Sequence, residues 1–76
     1  MERLGAVIRM IAILVNGAPW QVHPDTNISD LLSRLKLSPR VCVVEINGKI
    51  IEKKLFSSAA IKADDKVEII RMMGGG

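Results

Sequence analysis

The sequence predicts an α+β fold, with a mixed sheet of four to five strands covered on one face by one main helix. Three observations predict it. Runs of branched apolar residues, which favour strands, lie near both ends of the chain. Asn-Gly pairs at 16–17 and 47–48 indicate two hairpin turns, because both residues tolerate positive φ. Between the hairpins, apolar residues recur at helical spacing, so a helix must connect them across one sheet face.

Composition limits the chemistry that the chain can perform by itself. Its 76 residues make one domain, and an apolar content of 49% is sufficient for a compact core. The single cysteine, Cys42, excludes an internal disulfide, and the single histidine, His23, leaves little acid–base chemistry at neutral pH. The sequence contains no phosphate-binding loop. We therefore expect a protein that is not an enzyme and that binds no metal or cofactor.

The first hairpin is predicted from residues 10–15, the turn Asn16-Gly17, and a second strand over residues 20–23. Pro19 lacks an N–H, so this strand should begin there or lie at the sheet edge. We interpret Trp20 as a cover for the rim of the core rather than a binding platform. Residues 1–9 have no partner in this pattern and form an N-terminal extension or the start of the first strand.

The helix is predicted to begin after Asn27, a favourable N-cap, with Asp30 three positions further on. Pro39 prevents its continuation, so it should be over by about Leu37. The apolar stripe that faces the sheet consists of Ile28, Leu31, Leu32 and Leu35.

The third strand is predicted over residues 41–47 and pairs through Asn47-Gly48 with a short strand at 49–51. Val43 and Glu45 should share one face. The opposite face should carry Cys42, Val44 and Ile46. Cys42 is therefore expected to be a buried thiol, and no basic neighbour is evident that would make it a nucleophile.

Residues 52–63 are weakly patterned, so we expect a loop with a short strand or 3₁₀ turn, anchored by Phe56. Asp64-Asp65 forms a turn before the last strand, residues 66–72. The first and last strands are the most apolar, so they should be central and parallel. The side chains predicted to lie under the helix are Ile11, Ile13, Val15, Val67 and Ile69.

The same alternation turns Ile70 and Met72 outward, beside Val43, at the root of a terminal glycine run. We predict a partner-binding site here that consists of Val43, Ile70, Arg71, Met72 and Met73. Domain boundaries are expected at 10–73 for the folded domain and 74–76 for a flexible tail. Without Cβ atoms, Gly74 and Gly75 could thread a narrow channel, leaving the Gly76 carboxylate for activation by another enzyme.

This order of elements matches the ubiquitin-like β-grasp, and several segments resemble the ThiS family of sulfur carrier proteins. The resemblance covers residues 10–76, nearly the whole chain. Its most specific parts are the segment Val44-Glu45-Ile46-Asn47-Gly48 and the terminal Gly74-Gly75-Gly76. The first of these lies within a longer matching segment, residues 43–51. The other matching segments are Val15-Asn16-Gly17, Asn27-Ile28-Ser29-Asp30-Leu31-Leu32 and Asp65-Lys66-Val67-Glu68-Ile69-Ile70. The chain departs from the family at Lys53-Lys54-Leu55-Phe56, where Arg and Trp are common, and at Asp64.

The resemblance implies a mechanism that depends on partners. A ThiF-like, E1-type adenylating enzyme would use ATP and magnesium to form an adenylate on Gly76. A persulfide supplied by a cysteine desulfurase would convert it to a thiocarboxylate. Thiazole synthase (ThiG) would then receive the sulfur for the thiazole ring of thiamine. The carrier itself would be cytoplasmic and monomeric when free.

Other functions remain open at this point. A MoaD-like carrier for molybdopterin synthesis shares the tail chemistry, as does a carrier for tRNA thiolation or a ubiquitin-like protein modifier. A small basic RNA-binding module is a different class, but Trp20 and Phe56 are the only aromatic residues and offer little stacking surface. The longest apolar run, residues 10–15, is far below the roughly 20 residues of a membrane span. We therefore expect neither nucleic acid nor membrane as partner.

Overall fold

A computed structural model describes residues 9–72, and the chain segments 1–8 and 73–76 lie outside the described residues. The expected flexible tail falls in that second segment, and most of the expected N-terminal extension falls in the first. The strands are β1 (Ile11–Val15), β2 (Ala18–Val22), β3 (Cys42–Ile46), β4 (Lys49–Ile51) and β5 (Lys66–Arg71). The helix α1 spans Ile28–Arg34, and short 3₁₀ turns occupy Pro39–Val41 and Lys53–Leu55.

The five strands form one mixed sheet in the order β2-β1-β5-β3-β4. β5 lies at its centre and pairs in parallel with β1 and antiparallel with β3. This confirms the predicted central, parallel pairing of the first and last strands. β2 is an edge strand and contains Pro19, as its missing N–H requires, although the strand begins at Ala18 and not at the predicted residue 20.

The helix begins as predicted, with a full capping box. The Asn27 side chain accepts a hydrogen bond from the Asp30 N–H at 2.8 Å, and the Asp30 carboxylate accepts one from the Asn27 N–H at 3.4 Å. Its end has a different cause from the one expected. Lys36 adopts φ +60°, and the N–H groups of Lys36 and Leu37 close back onto carbonyls of the last turn. This Schellman motif ends the helix before Pro39 can.

The core lies between α1 and the inner face of the sheet. The predicted inward residues of β1 and β5 line it, Ile11 being half-buried and the other four buried. Cys42 is buried and unpaired, as expected, and Phe56 anchors the long loop. Two core residues were missed, Val22 of β2, which is 1% exposed, and Ile61, which is 2% exposed. Ile61 donates its N–H to the Thr26 carbonyl at 2.8 Å. An isolated apolar residue in a loop shows no periodicity that would reveal its burial.

Both predicted hairpin turns form, and they are nearly identical in conformation. Asn16 and Gly17 have φ of +50° and +83°, while Asn47 and Gly48 have +53° and +86°. Positive φ at both central positions is the two-residue turn that matches the twist of paired strands. Each turn therefore fixes the register of its hairpin and leaves one asparagine side chain beside the sheet.

Candidate functional site

At its C-terminal end, β5 extends beyond the neighbouring strand β1. β1 ends at Val15, whose parallel partner is Val67. On the other side, β3 pairs with β5 as far as Cys42 and Arg71, and the Met72 N–H donates to the Val41 carbonyl at 2.7 Å. The fold therefore holds the chain up to Met72, directly before residues 73–76.

An exposed apolar patch lies at this end, on the sheet face that points away from α1. We call it the tail-root patch and define it as Val43, Ile70 and Met72. Val43 is the cross-strand partner of Ile70, and Ile70 and Met72 are 50% and 52% exposed. The predicted outward alternation is thus confirmed, and the structure brings these three residues together. Their role in binding a partner stays a prediction.

Two further residues predicted for partner binding are not part of this patch. Arg71 is exposed, but it is the cross-strand partner of buried Cys42, and alternation gives it the face of Val67 and Ile69. It therefore lies on the helix side of the sheet, at its rim. Met73 lies outside the described residues, together with Gly74, Gly75 and Gly76.

Acidic residues interrupt the outer face beside the tail-root patch. Glu45 and Glu68 are directly opposite each other in the β3–β5 register. They line a shallow groove with Lys66 and the turn Asn47-Gly48. Like charges directly across a strand pair are destabilising. The outer face is therefore apolar near the tail root and charged toward the other end of β5.

The side chains of the two turn asparagines reach β5, an arrangement that was not predicted from the sequence. Asn16 accepts from the Ile69 N–H at 2.7 Å and donates from Nδ2 to the Ile69 carbonyl at 3.2 Å. Asn47 accepts from the Lys66 N–H at 2.9 Å and donates to the Asp65 carboxylate at 3.0 Å. No local signal reveals these bonds, because the first joins residues that are 53 positions apart.

Other candidate residues show no catalytic arrangement. Cys42 is buried in the core, and residues 9–72 contain no group of three His, Cys, Asp or Glu side chains that could hold a metal ion. Trp20 packs against the core with the Arg34 guanidinium 5.1 Å from its ring centroid, which confirms its interpretation as a rim residue. Within the described part of the chain, no helix has the length and apolar character needed to cross a membrane.

A helix packed on a five-stranded sheet of this order, with parallel central strands, defines the ubiquitin-like β-grasp class. The profile of the ThiS family matches residues 13–76. The crystal structure of thiamine biosynthesis protein ThiS from Geobacter metallireducens superposes with a TM-score of 0.74 at 36% identity, covering 87% of this chain and 100% of that one. The chain belongs to the ThiS family.

Three curated relatives extend this comparison. The uncharacterized protein ycf40 of Porphyra purpurea is 36% identical over 66 residues, which cover 87% of this chain and 93% of that protein. The sulfur carrier protein ThiS of Bacillus subtilis is 33% identical over 63 residues, covering 82% and 96%. A thiazole synthase of Paramagnetospirillum magneticum is 30% identical over 64 residues, covering 84% of this chain but 20% of that enzyme. The similarity therefore includes proteins named as a carrier and as a synthase.

Proposed function

We propose that this protein is a sulfur carrier of thiamine biosynthesis and that its C-terminal Gly76 carries the sulfur as a thiocarboxylate. The observation that carries the proposal is the family match, which runs through the β-grasp domain and includes the glycine residues up to position 76. The relative named as a sulfur carrier supports the same role. In this role the chain is a protein co-substrate, and its partners perform the catalysis.

The chemistry requires one carboxylate from this chain. An ionised carboxylate is a poor acceptor for sulfur, but its oxygen can attack the α-phosphorus of ATP and release pyrophosphate. The resulting acyl adenylate is a mixed anhydride from which AMP leaves readily when a persulfide sulfur attacks the acyl carbon. ATP and magnesium are substrates of a ThiF-like adenylating enzyme, and the persulfide derives from a cysteine desulfurase. That attack gives an acyl disulfide between Gly76 and the sulfur donor. A thiol of the donor or of added cysteine then attacks the donor's sulfur, forms a disulfide with it and releases the thiocarboxylate on Gly76.

The described fold supports this division of labour. β5 is central in the sheet, and Met72, the residue directly before positions 73–76, donates its N–H to the Val41 carbonyl beside β3. Gly74 and Gly75 have no Cβ and suit a channel too narrow for side chains. The tail-root patch then provides an apolar contact for the adenylating enzyme, since exposed apolar clusters mark interaction sites. Arg71, at the rim of the helix side, and Met73, the next residue after Met72 in the sequence, are proposed to add to this contact.

Thiazole synthase is the proposed acceptor of the sulfur. The segment of the P. magneticum thiazole synthase that resembles this chain makes up 20% of that enzyme. Joining two modules in one chain raises the effective concentration of each at the other. A carrier-like segment within a thiazole synthase is therefore consistent with direct transfer between the two.

Intact-mass spectrometry tests the proposal. The full chain is incubated with the adenylating enzyme, Mg-ATP, a cysteine desulfurase and cysteine, and then fragmented. We expect the mass increase of one oxygen-to-sulfur exchange, localised to Gly76. A chain that lacks Gly75 and Gly76 serves as the control and should remain unmodified while its unfolding midpoint is unchanged. An unmodified full chain, or sulfur found on Cys42 alone, would contradict the proposal.

A second measurement identifies the acceptor. The thiocarboxylate form is mixed with thiazole synthase and the remaining thiazole precursors, and the loss of sulfur from Gly76 is followed with time. Sulfur loss that depends on thiazole synthase supports the thiamine role. Stable thiocarboxylate in its presence, together with transfer to molybdopterin synthase or to tRNA, would assign the carrier to another pathway.

A further inference from the structure

We infer that Asn16 is a positioning residue for the C-terminal tail, because its side-chain amide fixes the last point at which β5 is hydrogen-bonded on the β1 side. The inference rests on the proposed function, since the position of the tail matters only if Gly76 must reach the active site of a partner. It assigns to a turn residue a role in a reaction that takes place far along the chain.

The geometry shows how Asn16 replaces a strand residue. β1 ends at Val15 opposite Val67, so Ile69 lies beyond the end of β1. The Asn16 N–H still donates to the Val67 carbonyl at 2.8 Å, and with φ +50° the backbone that follows turns away into the hairpin. Its side chain instead continues the ladder, accepting from the Ile69 N–H at 2.7 Å and donating to the Ile69 carbonyl at 3.2 Å. The amide thus supplies both hydrogen bonds that Ile69 would have made to the backbone of a longer β1.

This contact shortens the part of β5 that is held by β3 alone. With Asn16 in place, the β1-side bonds of β5 extend to Ile69. Without it they end at Val67. A partner that captures the tail must select conformers in which the chain leaves the sheet in the right direction, and a lower population of those conformers weakens apparent binding in proportion. Asn16 therefore pre-organises the exit of the tail.

Asn47 offers a control within the same molecule. It precedes a glycine, adopts φ +53°, and also uses its side-chain amide to hold β5. Its bonds go to Lys66 and Asp65, at the opposite end of the strand from the tail. If the asparagine amides only stabilise the fold, removing either one should have the same consequences.

The experiment compares Asn16→Gly with Asn47→Gly in the full chain, since glycine retains positive φ and removes only the amide. Adenylation of each chain is measured against chain concentration with the adenylating enzyme and Mg-ATP. For Asn16→Gly we expect KM to rise about three- to tenfold, as for the loss of one or two hydrogen bonds, with kcat nearly unchanged. For Asn47→Gly we expect KM within about twofold of the wild type, although its stability also falls.

A conservative variant and a second readout separate positioning from stability. Asn16→Asp keeps an acceptor for the Ile69 N–H, so its KM should lie between those of the wild type and Asn16→Gly. Hydrogen exchange at the Ile69 amide should accelerate in Asn16→Gly and not in Asn47→Gly. An unchanged KM in Asn16→Gly, or an equal rise in both glycine variants, would overturn the inference.

Failure of the proposed function gives a different result. If the wild-type chain is not adenylated at all, the proposed function is contradicted. The structural part of the inference is then decided by hydrogen exchange and backbone relaxation at residues 69–72. These residues must loosen in Asn16→Gly and stay unchanged in Asn47→Gly, and an equal response in the two variants would refute it.

Discussion

The two ends of β5 are held in different ways. At its start, Asn47 bonds to Lys66 with both its backbone and its side chain, and the Asp65 carboxylate also accepts from the Lys62 N–H at 2.9 Å. At its other end, β3 and one asparagine amide hold the strand. The same turn chemistry thus closes a compact side-chain network at the start of β5 and adds two hydrogen bonds to Ile69 near its end.

The two ends of β5 also differ in the polarity of their exposed outer surface. Near the start of β5, the outer face carries Lys66, Glu68 and Glu45, which favour water. Near its end, Ile70 and Met72 stand half exposed beside Val43. Along β3 and β5, the exposed apolar side chains of the outer face therefore lie at the end that the glycine residues follow, while Leu14 of β1 and Ile50 of β4 are exposed near the charged end. This contrast teaches that the two ends of one strand can differ in surface, because its start lies in a polar side-chain network and its end carries an exposed apolar cluster.

Among the tests of this difference between the two ends, the largest effect is expected from a polar substitution in the tail-root patch. Ile70→Thr keeps a β-branched residue but removes apolar contact area, and we expect the affinity for the adenylating enzyme to fall about tenfold, as for a central interface residue. Ile50→Thr is the matched control, because Ile50 is 67% exposed on the same outer face, in β4. Isothermal titration should show little change for that control. Equal losses in both variants would mean that the whole face, rather than the tail root, binds the partner.

A smaller effect tests whether the two turns are equivalent in stability. Gly17→Ala and Gly48→Ala each place a Cβ on a residue with φ above +80°, with no atom within 4 Å of it. The cost is therefore backbone strain alone, and we expect each to lower the free energy of unfolding by about 1–2 kcal/mol. Urea denaturation measures both. A clearly larger loss for one turn would show that the turns differ in more than the position of their asparagine.

The smallest effect is expected for the pair of glutamates, Glu45 and Glu68, in the middle of the β3–β5 pairing. Glu45→Gln removes one member of the like-charged pair with Glu68, so we expect the free energy of unfolding to rise by about 0.2–1 kcal/mol. The gain should shrink with added salt, which screens exposed charges. Thermal unfolding at low and high ionic strength measures it. A loss of stability would show that neighbouring cations, Lys66 first among them, already compensate the pair.

Much of the fold could be predicted because its signals are local. Alternation along β5 placed Val67 and Ile69 inside and Ile70 outside, and Asn27 with Asp30 located the start of the helix. The two Asn-Gly pairs located both hairpins for the same reason. The tail-root patch followed from alternation once β3 and β5 were placed in the sheet.

What could not be predicted depends on contacts between distant parts of the chain. The bonds between Asn16 and Ile69 could be predicted only if it were known that β5 extends beyond the end of β1. That depends on the strand register and not on any local stretch of sequence. Ile61 is buried through its position beside Thr26, without a periodic neighbour. Arg71 was grouped with Ile70 by adjacency, whereas alternation separates their faces. The Lys36 cap was hidden because lysine is not the usual residue for positive φ.

One measurement tests most directly the central claim that the adenylating enzyme binds the C-terminal end of β5. The ¹⁵N-labelled chain is titrated with the adenylating enzyme, and line broadening of its backbone amides is mapped. We predict that broadening concentrates at Val43, Ile70, Arg71 and Met72 and in residues 73–76, while Asn47, Gly48 and Lys66 stay sharp at substoichiometric enzyme. Broadening centred on the Asn47-Gly48 turn, with the tail-root patch unaffected, would contradict the account.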